Sequence, residues 1–269
     1  MLINFKVLQA VNFVGKFDGF LICSDLDGTF VGKDDVVEVN CKAVKYFTDN
    51  GGKFSFVTGR TASYLPEQAC FGVMNAPAGV FNGGTVFDYE NNKILTEVRL
   101  DFKLRDFAKE VMEWTDDTVC FGLYNSCLDP SDRVESFEDS DDRMDCNLIK
   151  IVCVFETSEK ADAFKEYVTG RELFKNTYIS KSWAEGVEFN SKKGTKGDAI
   201  KFIKECLGDI HTSIVIGDFG NDVKLLEGAD IGVAVGNAVD ELKVIADFVV
   251  KPCSEYAIKD LIQIIESRL

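Results

Sequence analysis

Three short apolar runs in this chain stop abruptly at oxygen-bearing side chains. Phe20-Leu21-Ile22-Cys23 gives way to Ser24-Asp25, Phe54-Ser55-Phe56-Val57 to Thr58-Gly59-Arg60, and Ser213-Ile214-Val215-Ile216 to Gly217-Asp218. Runs this short and this continuously apolar read as strands buried on both faces. Helical periodicity lies between them. Val36, Val39, Ala43, Val44 and Phe47 mark a helix over 36–49, and Gly51-Gly52 ends it. Further helices are expected over 195–207 and 220–227, and further strands over 231–235 and 248–250. Strands alternating with helices predict an α/β fold with a parallel sheet covered on both faces. Ligands of such sheets sit beyond the carboxyl ends of the strands, where Asp25, Thr58 and Asp218 fall.

The middle of the chain loses that rhythm. Residues 103–114 and 158–169 read as helices and 148–155 as a strand, and 135–145 is an acidic run best read as a solvated loop. The spacing therefore predicts two domains, a core made of 1–86 and 185–269 and an inserted domain over 87–184. Apolar residues near helical spacing at Ile3, Val7, Val11 and Val14 predict a docked helix over 3–16, and Lys6, Lys16 and Asp18 exclude a signal core or membrane span there.

Charge and cysteine usage limit the function classes. The chain has 269 residues and a net charge of -15, without a basic run, which argues against nucleic acid as partner. An acidic protein that binds a small anion needs local positive charge, from a metal ion or a placed lysine. Nine scattered cysteines form no Cys-x-x-Cys pair, so neither a disulfide framework nor a zinc site is expected, and a cytoplasmic protein with reduced thiols is the simplest reading.

Four elements carry the chemistry. In Asp25-Leu26-Asp27-Gly28-Thr29, two carboxylates two residues apart project to the same side of an extended chain, about 6.6 Å apart along it. Asp25 is placed to attack phosphorus and Asp27 to serve as acid and base, although an Asp-Gly turn alone would look the same. Thr58 and the backbone at Gly59 suit phosphate oxygens, against the alternative of a plain helix N-cap. Lys196 starts a helix, where its charge opposes the helix dipole unless an anion lies beside it. In Gly217-Asp218-Phe219-Gly220-Asn221-Asp222, Asp218 can join Asp25 and the Asp27 carbonyl around Mg²⁺, with Asn221 reaching phosphate and Asp222 orienting Lys196 or a metal-bound water. His211 lies outside these elements, and Trp114 and Trp183 read as core packing.

Together the elements resemble the haloacid dehalogenase superfamily, and most closely its Cof-type sugar-phosphatase branch. Phe81-Asn82-Gly83-Gly84 and Gly232-Val233-Ala234-Val235-Gly236-Asn237-Ala238 resemble further stretches of that branch. The resemblance implies a Rossmann-like core with an inserted α/β cap, Mg²⁺ dependence and a phosphoaspartate intermediate. By analogy Asp25 is the nucleophile, Asp27 the acid and base, Thr58 and Lys196 the phosphate holders and Asp218 the metal ligand. The expected partner is a small phosphorylated metabolite, with neither nucleic acid nor membrane, and oligomeric state is not legible. The same residues would serve a phosphomutase or phosphotransferase, or a phospho-ligand binder without turnover. Phe219 stands where the branch usually has a small residue, which narrows the expected site.

Overall fold

The computed structural model describes residues 15–32, 34–126 and 133–269. Most of the helix expected over 3–16 lies outside the described residues, as does Cys127. β1 (Phe20–Ser24) is followed by α1 (Asp34–Asp49) and β2 (Lys53–Phe56). A small antiparallel sheet follows, made of β3 (Ala78–Val80), β4 (Thr85–Asp88) and β5 (Lys93–Glu97). The inserted segment contains α2 (Leu104–Glu110), β6 (Thr118–Tyr124), β7 (Arg133–Val134), β8 (Lys150–Phe155), α3 (Ser158–Val168), β9 (Thr177–Ser180) and β10 (Gly186–Ser191). The chain then returns through α4 (Lys196–Leu207), β11 (Thr212–Gly217), α5 (Val223–Glu227), β12 (Ile231–Ala234), α6 (Asp240–Ile245), β13 (Phe248–Val249) and α7 (Ala257–Glu266).

The core sheet has the order β13-β12-β11-β1-β2 and is parallel throughout. All five residues of β1 are buried, which is why its sequence is apolar without alternation. Phe30, Phe54 and Phe56 form a cluster with centroids 4.9–5.7 Å apart, in which Phe56 meets the other two rings edge to face. That cluster accounts for part of the high phenylalanine content. On α7, Ile258, Leu261, Ile262 and Ile265 are buried at helical spacing, and each such side chain contributes about 1.5–3 kcal/mol.

Register fixes what stands at the carboxyl edge. Ser24 lies level with Ile216 on one side and Phe56 on the other. The ladder continues one residue further, with the Asp25 N–H donating to the Ile216 carbonyl at 2.9 Å and the Val57 N–H to the Ser24 carbonyl at 2.9 Å. Asp25, Thr58 and Asp218 therefore leave the sheet at the same end.

The second sheet has the order β7-β6-β8-β10-β9 and is antiparallel. Its own hydrophobic cluster runs from Leu100 to Phe189 and includes Trp114, which packs on Phe155 and Phe164. Strand pairing places Gly186–Ser191 in this sheet, beyond the boundary expected at 184. Conversely Phe87, expected to open the inserted domain, packs in the first cluster, so the small sheet belongs with the core. The boundary was misplaced because β10 is as continuously buried as a core strand.

Candidate active site

Lys196 is the centre of the site. It opens α4, whose first turn is closed by a reciprocal cap: Thr195 Oγ1 accepts from the Asp198 N–H, and Asp198 accepts from the Thr195 N–H. The Lys196 ammonium is buried and donates to Asp25 at 2.7 Å and to Asp222 at 2.6 Å. These two carboxylates are the anions that offset its unfavourable place at a helix start. Burial alone would lower the Lys196 ammonium, but Asp222 and Asp25 overcome it and hold the group above its ordinary value. Burial pushes the Asp25 carboxyl well up, Lys196 opposes this, and the charges of Asp222 and Asp218 add to it. Asp218 is pushed up to about 6, by burial first and then by Asp222.

Carboxylate oxygens of Asp25, Asp218 and Asp222 all lie within 4.8 Å of one another, the one such acidic cluster among the described residues. Their hydrogen bonds divide their roles. Asp222 uses Oδ1 for Lys196 and Oδ2 for the N–H groups of Asp218 and Phe219, so both its oxygens are occupied by protein donors. Asp25 engages Lys196 through Oδ1, and Asp218 accepts from the Thr29 hydroxyl at 3.1 Å through Oδ1. Each of these two keeps Oδ2 for another partner. Three carboxylates against one ammonium leave two negative charges in a mostly buried space, which a divalent cation with a taste for hard oxygen would neutralise. Gly28, at φ +79, makes room beside that oxygen, since a Cβ there would lie 2.4 Å from Asp218 Oδ2.

Asp27, expected to act as acid and base with its backbone carbonyl at the metal, keeps its side chain outside the carboxylate cluster. Its half-exposed carboxylate is held by Arg60, Nε to Oδ2 at 2.8 Å and Nη2 to Oδ1 at 3.1 Å. Arg60 also lies over the Tyr64 ring, 4.6 Å from its centroid. Thr58 is buried, and its hydroxyl accepts from the Arg60 N–H at 3.2 Å, while Gly59 turns its carbonyl to Lys150 Nζ at 3.1 Å. Asn221 donates to Ser182 Oγ at 2.8 Å and to Asn82 Oδ1 at 3.2 Å.

Those last contacts reach a buried polar network between the two sheets that motif reading did not anticipate. Lys150 on β8 and Glu188 on β10 pair at 2.6 Å with almost no exposure. Glu188 also accepts from Asn82 at 2.6 Å and Ser182 at 2.5 Å. Burial would raise the Glu188 carboxyl, but Lys150, Ser182 and Asn82 together hold it below its ordinary value. Phe81, Asn82 and Gly83 take positive φ values of 53, 57 and 94, a strained turn that only a well-determined surrounding maintains. The available signal was Lys150 and Glu188 themselves, single charges inside apolar runs.

The elements enclose a cavity of about 530 Å³, lined by Asp25, Asp27, Thr58, Gly59, Arg60, Asp218 and Asn221 from the core and by Tyr124, Lys150 and Trp183 from the inserted domain. Trp183 thus lines the cavity, against the expectation of core packing, whereas Trp114 is packed as expected. Phe219 is also in the wall. His211 lies elsewhere, packed edge-on against Phe20.

Comparison with known proteins agrees with this geometry. The family described as haloacid dehalogenase-like hydrolase matches residues 22–262. YkrA of Bacillus subtilis is 48% identical over 73 residues, which is 25% of this chain and 28% of that protein, so the match spans well under two thirds of the relative. Phosphoglycolate phosphatase of Sulfurisphaera tokodaii is 25% identical over 235 residues, covering 85% of this chain and 86% of that one. A haloacid dehalogenase-like hydrolase structure from B. subtilis shares the fold with a TM-score of 0.74 at 20% identity, covering 90% of this chain and 98% of that one. The family match over most of the sequence, on a shared fold, means that the chain belongs to the haloacid dehalogenase-like hydrolase family.

Proposed function

We propose that the protein is a Mg²⁺-dependent phosphatase of small phosphate monoesters, sugar phosphates or related metabolites, working through an aspartyl-phosphate on Asp25. The observation that carries this reading is the buried Lys196 joining Asp25 and Asp222 beside Asp218. Asp25 and Asp218 offer the oxygens that would hold the ion, whose contribution is to neutralise charge on the transferring phosphoryl group. The free Cys23, Cys153 and Cys253 fit a protein of the reducing cytoplasm.

In this proposal each side chain takes a part in the reaction. One oxygen of the Asp25 carboxylate attacks phosphorus, forming the O–P bond while the ester O–P bond breaks. Lys196 holds Asp25 in place and opposes the phosphoryl charge, and Thr58 and the nearby backbone hold its oxygens. Asp27 delivers a proton to the leaving alkoxide, then takes one from the water that attacks phosphorus and frees Asp25. For this Asp27 must let go of Arg60, which makes substrate entry the natural moment for that pair to open.

The test is hydrolysis of p-nitrophenyl phosphate with and without Mg²⁺, on the parent protein and Asp25→Asn. The expected result is turnover that needs Mg²⁺, is lost reversibly in EDTA and is absent in the folded variant. Turnover retained by Asp25→Asn would refute the assignment of the nucleophile, and full activity in excess chelator would remove the metal.

A further inference from the structure

The inserted domain's sheet has an unusual inner face. Along β8, Ile151, Cys153 and Phe155 pack in that domain's hydrophobic cluster, so Lys150, Val152 and Val154 face the other way and line the cavity. Along β6, Phe121 and Leu123 pack inward while Gly122 and Tyr124 line the cavity. A sheet face turned to water is ordinarily polar. On this one Lys150 and Glu188 pair with each other, and Val152, Val154 and the Tyr124 ring supply apolar surface to the cavity wall.

Two glycines make room for the rings in that wall. A Cβ at Gly122 would lie 2.9 Å from Cε2 of Tyr124, and a Cβ at Gly186 would lie 2.3 Å from Cζ2 of Trp183. Both rings can therefore lie flat over backbone that any larger residue would push them from. Trp183 keeps 37% of its surface exposed, a cost in water that a stacked ligand would remove. Lys150, the cation that the inserted domain contributes to the lining, is already engaged by Glu188. A leaving group carrying a second anion would not find it free.

We infer that Tyr124 and Trp183 form an aromatic platform that selects phosphate esters whose leaving group carries a planar or apolar ring, over esters of polyols and hydroxy acids. This rests on the phosphatase reading and names the substrate class for that site. The phosphate end is held by the core, and the platform acts on the other end through area and stacking. It therefore sets KM and selectivity more than the rate of the chemical step.

The experiment compares esters of primary alcohols, so that leaving-group reactivity is similar: benzyl phosphate against glycerol 3-phosphate and phosphoglycolate. The parent protein is expected to favour benzyl phosphate in kcat/KM by about tenfold or more. Trp183→Ala and Tyr124→Ala should each raise KM for benzyl phosphate by about tenfold, with Trp183→Phe restoring most of it, while glycerol 3-phosphate changes by less than about twofold. Equal or better turnover of the two polar esters by the parent, or equal losses on all three substrates in the variants, would overturn the platform and leave the phosphatase standing. No turnover of any ester would overturn both.

Discussion

At the scale of single residues, the site depends on how four charges share a small buried space. Lys196 is the only cation that hydrogen-bonds Asp25 and Asp222 in the described structure, and it has no exposed surface. Lys196→Met should leave two carboxylates facing each other unpaired. We expect a loss of about 3–5 kcal/mol in urea unfolding of the metal-free protein, together with loss of turnover. Asp218 makes a prediction about pH. Its carboxyl is pushed up to about 6, so the metal-free folded state binds a proton there more tightly than the unfolded chain does. The stability this group contributes is fully present below about pH 4 and lost as the pH rises through about 6. Mg²⁺ competes for the same carboxylate, so the stabilisation it gives should grow from pH 5 to pH 7.5. Melting curves with and without Mg²⁺ at both values check this, and a gain independent of pH would contradict it. Asp25, Lys196 and Asp218 were legible because each ends or begins an element with a clear period. The pairing of Asp27 with Arg60 was not, since a half-exposed side chain has several partners within reach and sequence does not choose among them.

At the scale of elements, the core strands were legible and the inserted ones less so, for one physical reason. A parallel strand buried on both faces is apolar throughout, as β1 and β11 are. The inserted sheet buries one face in its own cluster and lines a cavity with the other, so β8 and β10 look like core strands interrupted by one charge. Reading Lys150 and Glu188 as interior charges that must find each other would have located the junction between the sheets. Glu188→Gln tests that junction. It keeps the shape but leaves the Lys150 ammonium buried without its counter-charge, and the protein should lose about 3–5 kcal/mol. Lys150→Met combined with Glu188→Gln should recover part of that loss. A single variant as stable as the parent would show that the pair contributes nothing.

At the scale of the molecule, the fold has two hydrophobic clusters, with Asp25, Thr58 and Asp218 on the core side of the gap between them and Lys150 and Trp183 on the other. The polar network of Asn82, Ser182, Glu188 and Asn221 spans that gap and ties the two together. Family, fold class and motif positions could be read along the chain, whereas the cavity could not, because it exists only where residues from the two sheets meet. The claim on which everything else depends is that Asp25 becomes phosphorylated during turnover. It is tested most directly by acid-quenching the enzyme during steady-state hydrolysis, reducing with borohydride and mapping peptides by mass spectrometry. The acyl phosphate should appear as homoserine at position 25, with Asp27, Asp218 and Asp222 unchanged. Reduction at another carboxylate, or none at all under active turnover, would contradict the account.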